Sequence, residues 1–245
     1  MAKGRGGFDW LKIMITLGIE CSSRQGSVAL LKDGELLAEK SWIAERVRHN
    51  TIFQTLENLM AEVDMSYNDI SLYAVGRGPG SFSGMRMSFA IAQALALPTK
   101  TDVRAVSSGA ALAFRVAQAG TPAVRQIAVV GDARRGQVWI GLFNVGQASC
   151  LSTENRLGAR MDRLEACPTL VDDWKLVPYK EVDVPDGTVV VSPEAERLTK
   201  IFPTLGNARF PHAKEVAELA LMQSEPEPFE PLYMHPPVFI EPKYA

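Results

Sequence analysis

Histidine and cysteine are both scarce in this chain. His49, His212 and His235 lie far apart, and neither a His-x-x-x-His nor a Cys-x-x-Cys pair occurs. A zinc or iron site built on those residues is therefore not expected. Cys21, Cys150 and Cys167 are an odd number without motif spacing, which argues against a disulfide framework and for a reducing cytoplasm. Positive charge is not in excess either. Twenty-six basic residues face 28 acidic ones, for a net charge of -2, so no basic field suited to gripping nucleic acid alone is present. No apolar run reaches the length of a membrane span, and no membrane partner is expected. Serines abound without a persuasive Ser/His/Asp set.

What remains is ordinary globular composition. The 245 residues are 47% hydrophobic and 22% charged, enough for one large domain or two small ones. Residues 1–13 read as an extension or tag, because β-like patterning begins near Ile13 and Met14 can serve as a start. Ile13 to Glu20 reads as a buried strand. A small-residue turn follows, Cys21-Ser22-Ser23-Arg24-Gln25-Gly26. Asp33-Gly34 then marks a hairpin between strands at 27–31 and 35–42. His49 to Asp64 predicts a helix with a broad apolar arc: Ile52, Phe53, Leu56, Leu59, Met60 and Val63. That breadth leaves two readings open, packing within its own domain or one flank against another protein.

After a short strand at 71–76 comes Gly76-Arg77-Gly78-Pro79-Gly80-Ser81-Phe82-Ser83-Gly84. Ser81 is placed to cap a helix that runs to Leu97, where Pro98 stops it. A glycine-rich turn feeding a helix N-terminus can cradle an anion. Yet no Gly-Lys-Ser/Thr follows, and the spacing is not Gly-x-Gly-x-x-Gly. Gly84, Ser88, Ala92 and Ala96 recur every four residues, a stripe that admits close approach of another element, inside this chain or outside it. Arg77 and Arg86 flank the helix start and are candidates for reaching a phosphate or for local ion pairs.

A strand at 102–106 and a helix capped by Ser107 or Ser108 lead to Gly120-Thr121-Pro122, where the lobe boundary is placed. The N-terminal lobe is thus 14–120 and the C-terminal lobe 121–245. Gln126–Gly131, the turn Asp132–Gly136 and Gln137–Asn144 echo the opening hairpin. Two such turns facing each other can hold a nucleotide's phosphates. Residues 146–186 show weak periodicity, a helix is expected from Pro211 to Met222, and the proline-rich tail from Glu225 reads as extended or irregular.

Gly18-Ile19-Glu20-Cys21-Ser22-Ser23, the run Gly76 through Gly84, and Asp132-Ala133-Arg134 with Gly136-Gln137-Val138 resemble TsaB proteins. The resemblance covers most of residues 13–143. It implies a two-lobed actin-like or sugar-kinase α/β fold, each lobe a mixed sheet with flanking helices. It also implies a non-catalytic scaffold subunit that binds and activates TsaD, with TsaE, for N6-threonylcarbamoylation of adenosine 37 in ANN-decoding tRNAs. The His-x-x-x-His metal pair of TsaD-like proteins is absent here. Helices 49–64 and 82–97 would pair with TsaD, or with a second copy of this chain. The implied interface comprises His49, Ile52, Phe53, Leu56, Met60, Gly80, Ser81, Gly84, Met85, Arg86, Ser88, Phe89, Ala92 and Leu95. tRNA would be met only through the complex. The phosphate turns, Glu20, Cys21, Ser22 and Ser23 with Asp132 and Arg134, read as degenerate. No cofactor is expected on the isolated chain, and a nucleotide at the partner interface is left open. A small-molecule kinase or ATPase of the same fold is the alternative, and a metallopeptidase a further one.

Overall fold

Strand β1, Ile15–Glu20, is buried along its whole length, polar Thr16 and Glu20 included, as a strand covered on both faces is. The computed structural model describes residues 13–44, 51–119, 124–146, 167–223 and 225–235. β1 pairs antiparallel with β2, Gln25–Lys32, which pairs antiparallel with β3, Glu35–Ile43. On its other side β1 runs parallel to β4, Leu72–Gly76, and β4 parallel to β5, Asp102–Val106. The sheet order is β3-β2-β1-β4-β5. Helices α1, Thr51–Glu62, and α2, Phe82–Ala96, cover one face through Ile52, Leu56, Leu59, Phe89 and Ala92. Helix α3, Ser108–Gln118, packs on the other face through Ala111 and Phe114.

The second sheet repeats this plan. β6, Gln126–Arg134, pairs antiparallel with β7, Gln137–Asn144. β7 carries the short strands β8, Thr169–Leu170, and β9, Lys175–Pro178. β10, Val189–Val191, lies parallel to β6 on its far side. The order β9-β7-β6-β10 thus mirrors β3-β2-β1-β4. This duplicated meander with a parallel neighbour is the two-lobed actin-like, sugar-kinase fold expected from the sequence. The second hairpin differs in one detail. Asp132 lies inside β6 rather than in the turn, and Arg134, Arg135 and Gly136 make the reversal with positive φ of 68°, 53° and 74°. A register shift between Asp132 and Arg134 absorbs the extra residue.

Helix α4, Ala195–Leu198, closes the second sheet, packing with Ala128, Val130 and Phe202. Helix α5, Ala213–Met222, corrects its assignment to the C-terminal lobe. It packs on the first sheet, with Ala213, Val216, Ala217 and Ala220 against Ala29, Leu31, Leu72 and Ala74. Its apolar side finds a larger buried face there than a short strand such as β10 offers. Cys21 is a free, buried thiol. Cys167 is disulfide-bonded, which corrects the expectation that the cysteines carry no bridge, since spacing along the chain does not fix which sulfurs meet. The expected extension, His49 and Cys150 lie outside the described residues. Among the described residues no helix is long and apolar enough to cross a membrane.

Candidate functional site

Glu20, at the end of β1, is fully buried. Its Oε1 accepts from the Ser22 amide at 2.5 Å, and its Oε2 from the Ser108 hydroxyl at 2.7 Å. A Cβ on Gly76 would stand 1.7 Å from Oε2, so only glycine leaves room for this carboxyl beneath the loop. Burial pushes the Glu20 pKa up, against the three hydrogen-bond contributions of Ser22 and Ser108. The same burial drives the Cys21 thiol up to about 12, so it is no thiolate nucleophile.

The glycine-rich loop spends its own amides. Arg77 N donates to Val106 O at 2.8 Å, Gly78 N to Ser108 Oγ at 3.0 Å, and Ser81 N to Ser22 O at 2.6 Å. Ser81 caps α2 as expected, accepting from Gly84 N at 3.3 Å. The Gly78–Pro79 peptide is cis. A Cβ on Gly84 would lie 1.9 Å from the Cys21 carbonyl oxygen, so this glycine serves close backbone packing of α2 on the first turn.

Between the lobes lies a cleft of about 650 Å³, walled by Ser22, Ser23, Arg24, Asp132, Glu194 and Arg197 among others. Its charges are already matched. Asp132 Oδ2 pairs with Arg134 at 2.8 Å and Arg197 at 3.4 Å, while Oδ1 accepts from Tyr179 Oη at 3.0 Å. Glu194 accepts from the Asp132 amide at 2.8 Å, and burial pushes its carboxyl up. Arg24 pairs with Glu196 at 2.8 Å. The amides of Arg77, Gly78 and Ser81 point at protein acceptors, Glu20 is turned under the loop, and Arg24, Arg134 and Arg197 face carboxylates. Among the described residues no three His, Cys, Asp or Glu side chains converge as a metal site needs.

The expected interface residues divide sharply. Ile52, Leu56, Met60, Gly84, Met85, Ser88, Phe89 and Ala92 are buried in this chain's own core. Their side chains are spent mainly on this chain's own packing, and the Gly84–Ala96 stripe is the inward face of α2. Leu95 is half-buried, while Gly80, Ser81, Phe53 and Arg86 are exposed. The outward faces carry further residues that the sequence reading passed over: Ala90, Ala94 and Leu97 beside Arg86, with Leu97 77% exposed and Phe82 57%. A second, offset set of small residues at 90 and 94 was the signal available. Arg86 lies over the Phe82 ring at 5.1 Å. Arg77 is taken: its Nη1 pairs with Glu227 at 3.3 Å and its Nε donates to Glu230 O at 3.0 Å. Of the two readings left open for Arg77, the structure shows the local ion pair, with the Glu227 carboxylate of the tail as the anion it meets.

The family model described as "TsaD: tRNA N6-adenosine threonylcarbamoyltransferase" matches residues 42–165. The chain is similar to the tRNA threonylcarbamoyladenosine biosynthesis protein TsaB of Bacillus subtilis, 32% identical over 130 residues, 53% of this chain and 55% of that protein. Its similarity to TsaB of Escherichia coli is 34% over 126 residues, 51% of this chain and 53% of that protein. The chain thus spans about half the length of the curated relatives it matches. Among solved structures, YeaZ from Pseudomonas aeruginosa superposes with a TM-score of 0.69 at 24% identity, covering 90% of this chain and 99% of that one. A second Pseudomonas aeruginosa protein, with similarity to peptidase YEAZ, gives 0.70 at 23%, covering 91% and 100%. At these identities the likeness shows the fold.

Proposed function

The chain belongs to the family that the TsaD model describes, and from that premise we propose that it is a TsaB-type, non-catalytic scaffold in the biosynthesis of threonylcarbamoyladenosine in tRNA, a reading its likeness to TsaB proteins supports. It binds the TsaD-type catalytic chain through the outward faces of α1 and α2 and works with TsaE. A second copy of the same chain occupies that surface when the catalytic chain is absent, since related folds present related faces. tRNA is reached through the complex, and the setting is the cytoplasm. The isolated chain needs no cofactor; any nucleotide belongs at the junction with the catalytic chain, where Arg86 is free to turn toward it.

One observation carries this reading. Helices α1 and α2 cover the same face of the first sheet, and beyond that packing they still expose Phe53, Phe82 and Leu97. Ala90 and Ala94, between Phe82 and Leu97 along α2, are exposed with short side chains. Large apolar anchors beside small residues suit a helix–helix contact. The inward commitment of Glu20 and of the loop amides supports the absence of phosphate chemistry here. Leu97→Asp tests the reading in a pull-down of the TsaD-type chain. Loss of capture with an unchanged unfolding midpoint supports it. Capture at the wild-type level discards the surface.

A further inference from the structure

We propose that the C-terminal segment 225–235 is the chain's own lobe-bridging ligand, a strap that couples the two lobes where an actin-like fold would use a nucleotide. Its first anchor is Glu227. The carboxylate accepts from the Ser107 amide and from Gln223 Nε2, each at 3.0 Å, and pairs with Arg77. Arg77 is then held along the strap, by Glu230 O at its Nε and by the Leu232 amide, which donates to Arg77 O at 2.7 Å. Two rings dock on α2: Phe229 on Phe89, with centroids 4.8 Å apart, and Tyr233 on Phe82 at 5.0 Å. Leu232, Tyr233, Met234 and His235 then enter the cleft. Met234 packs with the second lobe's core, and His235 Nε2 donates to Ala133 O at 2.8 Å.

The strap therefore starts on the loop that follows β4 and ends on the hairpin β6–β7. Both border the cleft, the loop through Gly80 and Ser81 and the hairpin through Asp132, Ala133 and Arg134. Pro226, Pro228 and Pro231 lower the entropy lost when the segment is ordered. Another tie across the cleft, Arg24 with Glu196, is half to two-thirds exposed and adds little. With the strap seated, the coupling of the lobes is built into the chain and does not wait for a phosphate.

Hydrogen exchange on the full chain, with and without magnesium ATP, tests this. His235→Ala and Tyr233→Ala should each speed exchange of amides 132–138 by about five- to tenfold, the size set by one lost hydrogen bond or ring contact. Exchange in β1 and β4 should stay unchanged, as should exchange in the wild type with added nucleotide. Unchanged exchange at 132–138 in both variants overturns the proposal, as does nucleotide protection of the wild type there. A chain ending at Gln223, given a synthetic peptide of residues 225–235, supplies a second reading. Saturable recovery of protection at 132–138 supports the strap, and failure of the peptide to bind the folded truncated chain overturns it.

Discussion

Replacing Glu20 measures how firmly the first turn is committed to structure. The carboxylate accepts from the Ser22 amide and the Ser108 hydroxyl with no exposure to solvent. Glu20→Ala leaves both donors buried without an acceptor, at about 1–3 kcal/mol each, and opens a small void besides. A total loss of about 3–5 kcal/mol is expected. Glu20→Gln keeps one carbonyl oxygen for the amide, while Ser108 Oγ can accept from the new NH2, so about 1–2 kcal/mol is expected. The pH dependence carries a second signature. Burial raises the folded carboxyl above its ordinary 4.5, so its contribution is fully present below that value and is lost as pH rises through the raised one. Glu20→Gln should remove that component. Urea unfolding between pH 4 and 8 reads both effects. An Ala variant costing no more than the Gln variant, or a Gln variant that keeps the wild-type pH slope, would refute the reasoning.

Gly84→Ala drives a methyl to within 1.9 Å of the Cys21 carbonyl oxygen; it should cost about 1–3 kcal/mol in urea unfolding, as overpacking does. Ala92→Arg, at a fully buried site, should abolish folding by circular dichroism, whereas Leu97→Asp should leave the unfolding midpoint within about 0.5 kcal/mol of the wild type. The Glu39–His212 pair predicts an acid effect. Burial pushes the Glu39 carboxyl up, but the His212 hydrogen bond at 3.0 Å and the His212 charge outweigh it and hold the group below 4.5. Its contribution is therefore present above pH 4.5 and lost as pH falls through the lower folded value. His212→Gln should flatten the acid limb of thermal unfolding.

Local chemistry was legible in the sequence. Asp33-Gly34 marked the first hairpin, Ser81 the start of α2, and the turn Asp132–Gly136 between two strand-like runs the second hairpin, because each depends on neighbours along the chain. The two faces of α2 were not separable in that way. Gly84, Ser88 and Ala92 point into the core while Ala90, Ala94 and Leu97 point out, and both sets are small or apolar. Only the position of the sheet decides which is buried. The docking of α5 on the first sheet is a contact between residues more than a hundred positions apart, beyond the reach of periodicity. Glu20 read as a remnant of a phosphate turn, and its true partner, Ser108, is 88 residues away. The tail read as irregular because prolines break periodicity. Its order comes from Arg77, Phe82 and Phe89, which no local pattern announces.

Reconstitution with the TsaD-type chain, TsaE, tRNA, ATP and the threonylcarbamoyl donor tests the scaffold most directly. Formation of threonylcarbamoyladenosine should require this chain at near-equal stoichiometry, fall at least tenfold with Leu97→Asp, and survive Asp132→Asn in the cleft. Full activity without this chain, or nucleotide turnover by this chain alone, would contradict the account.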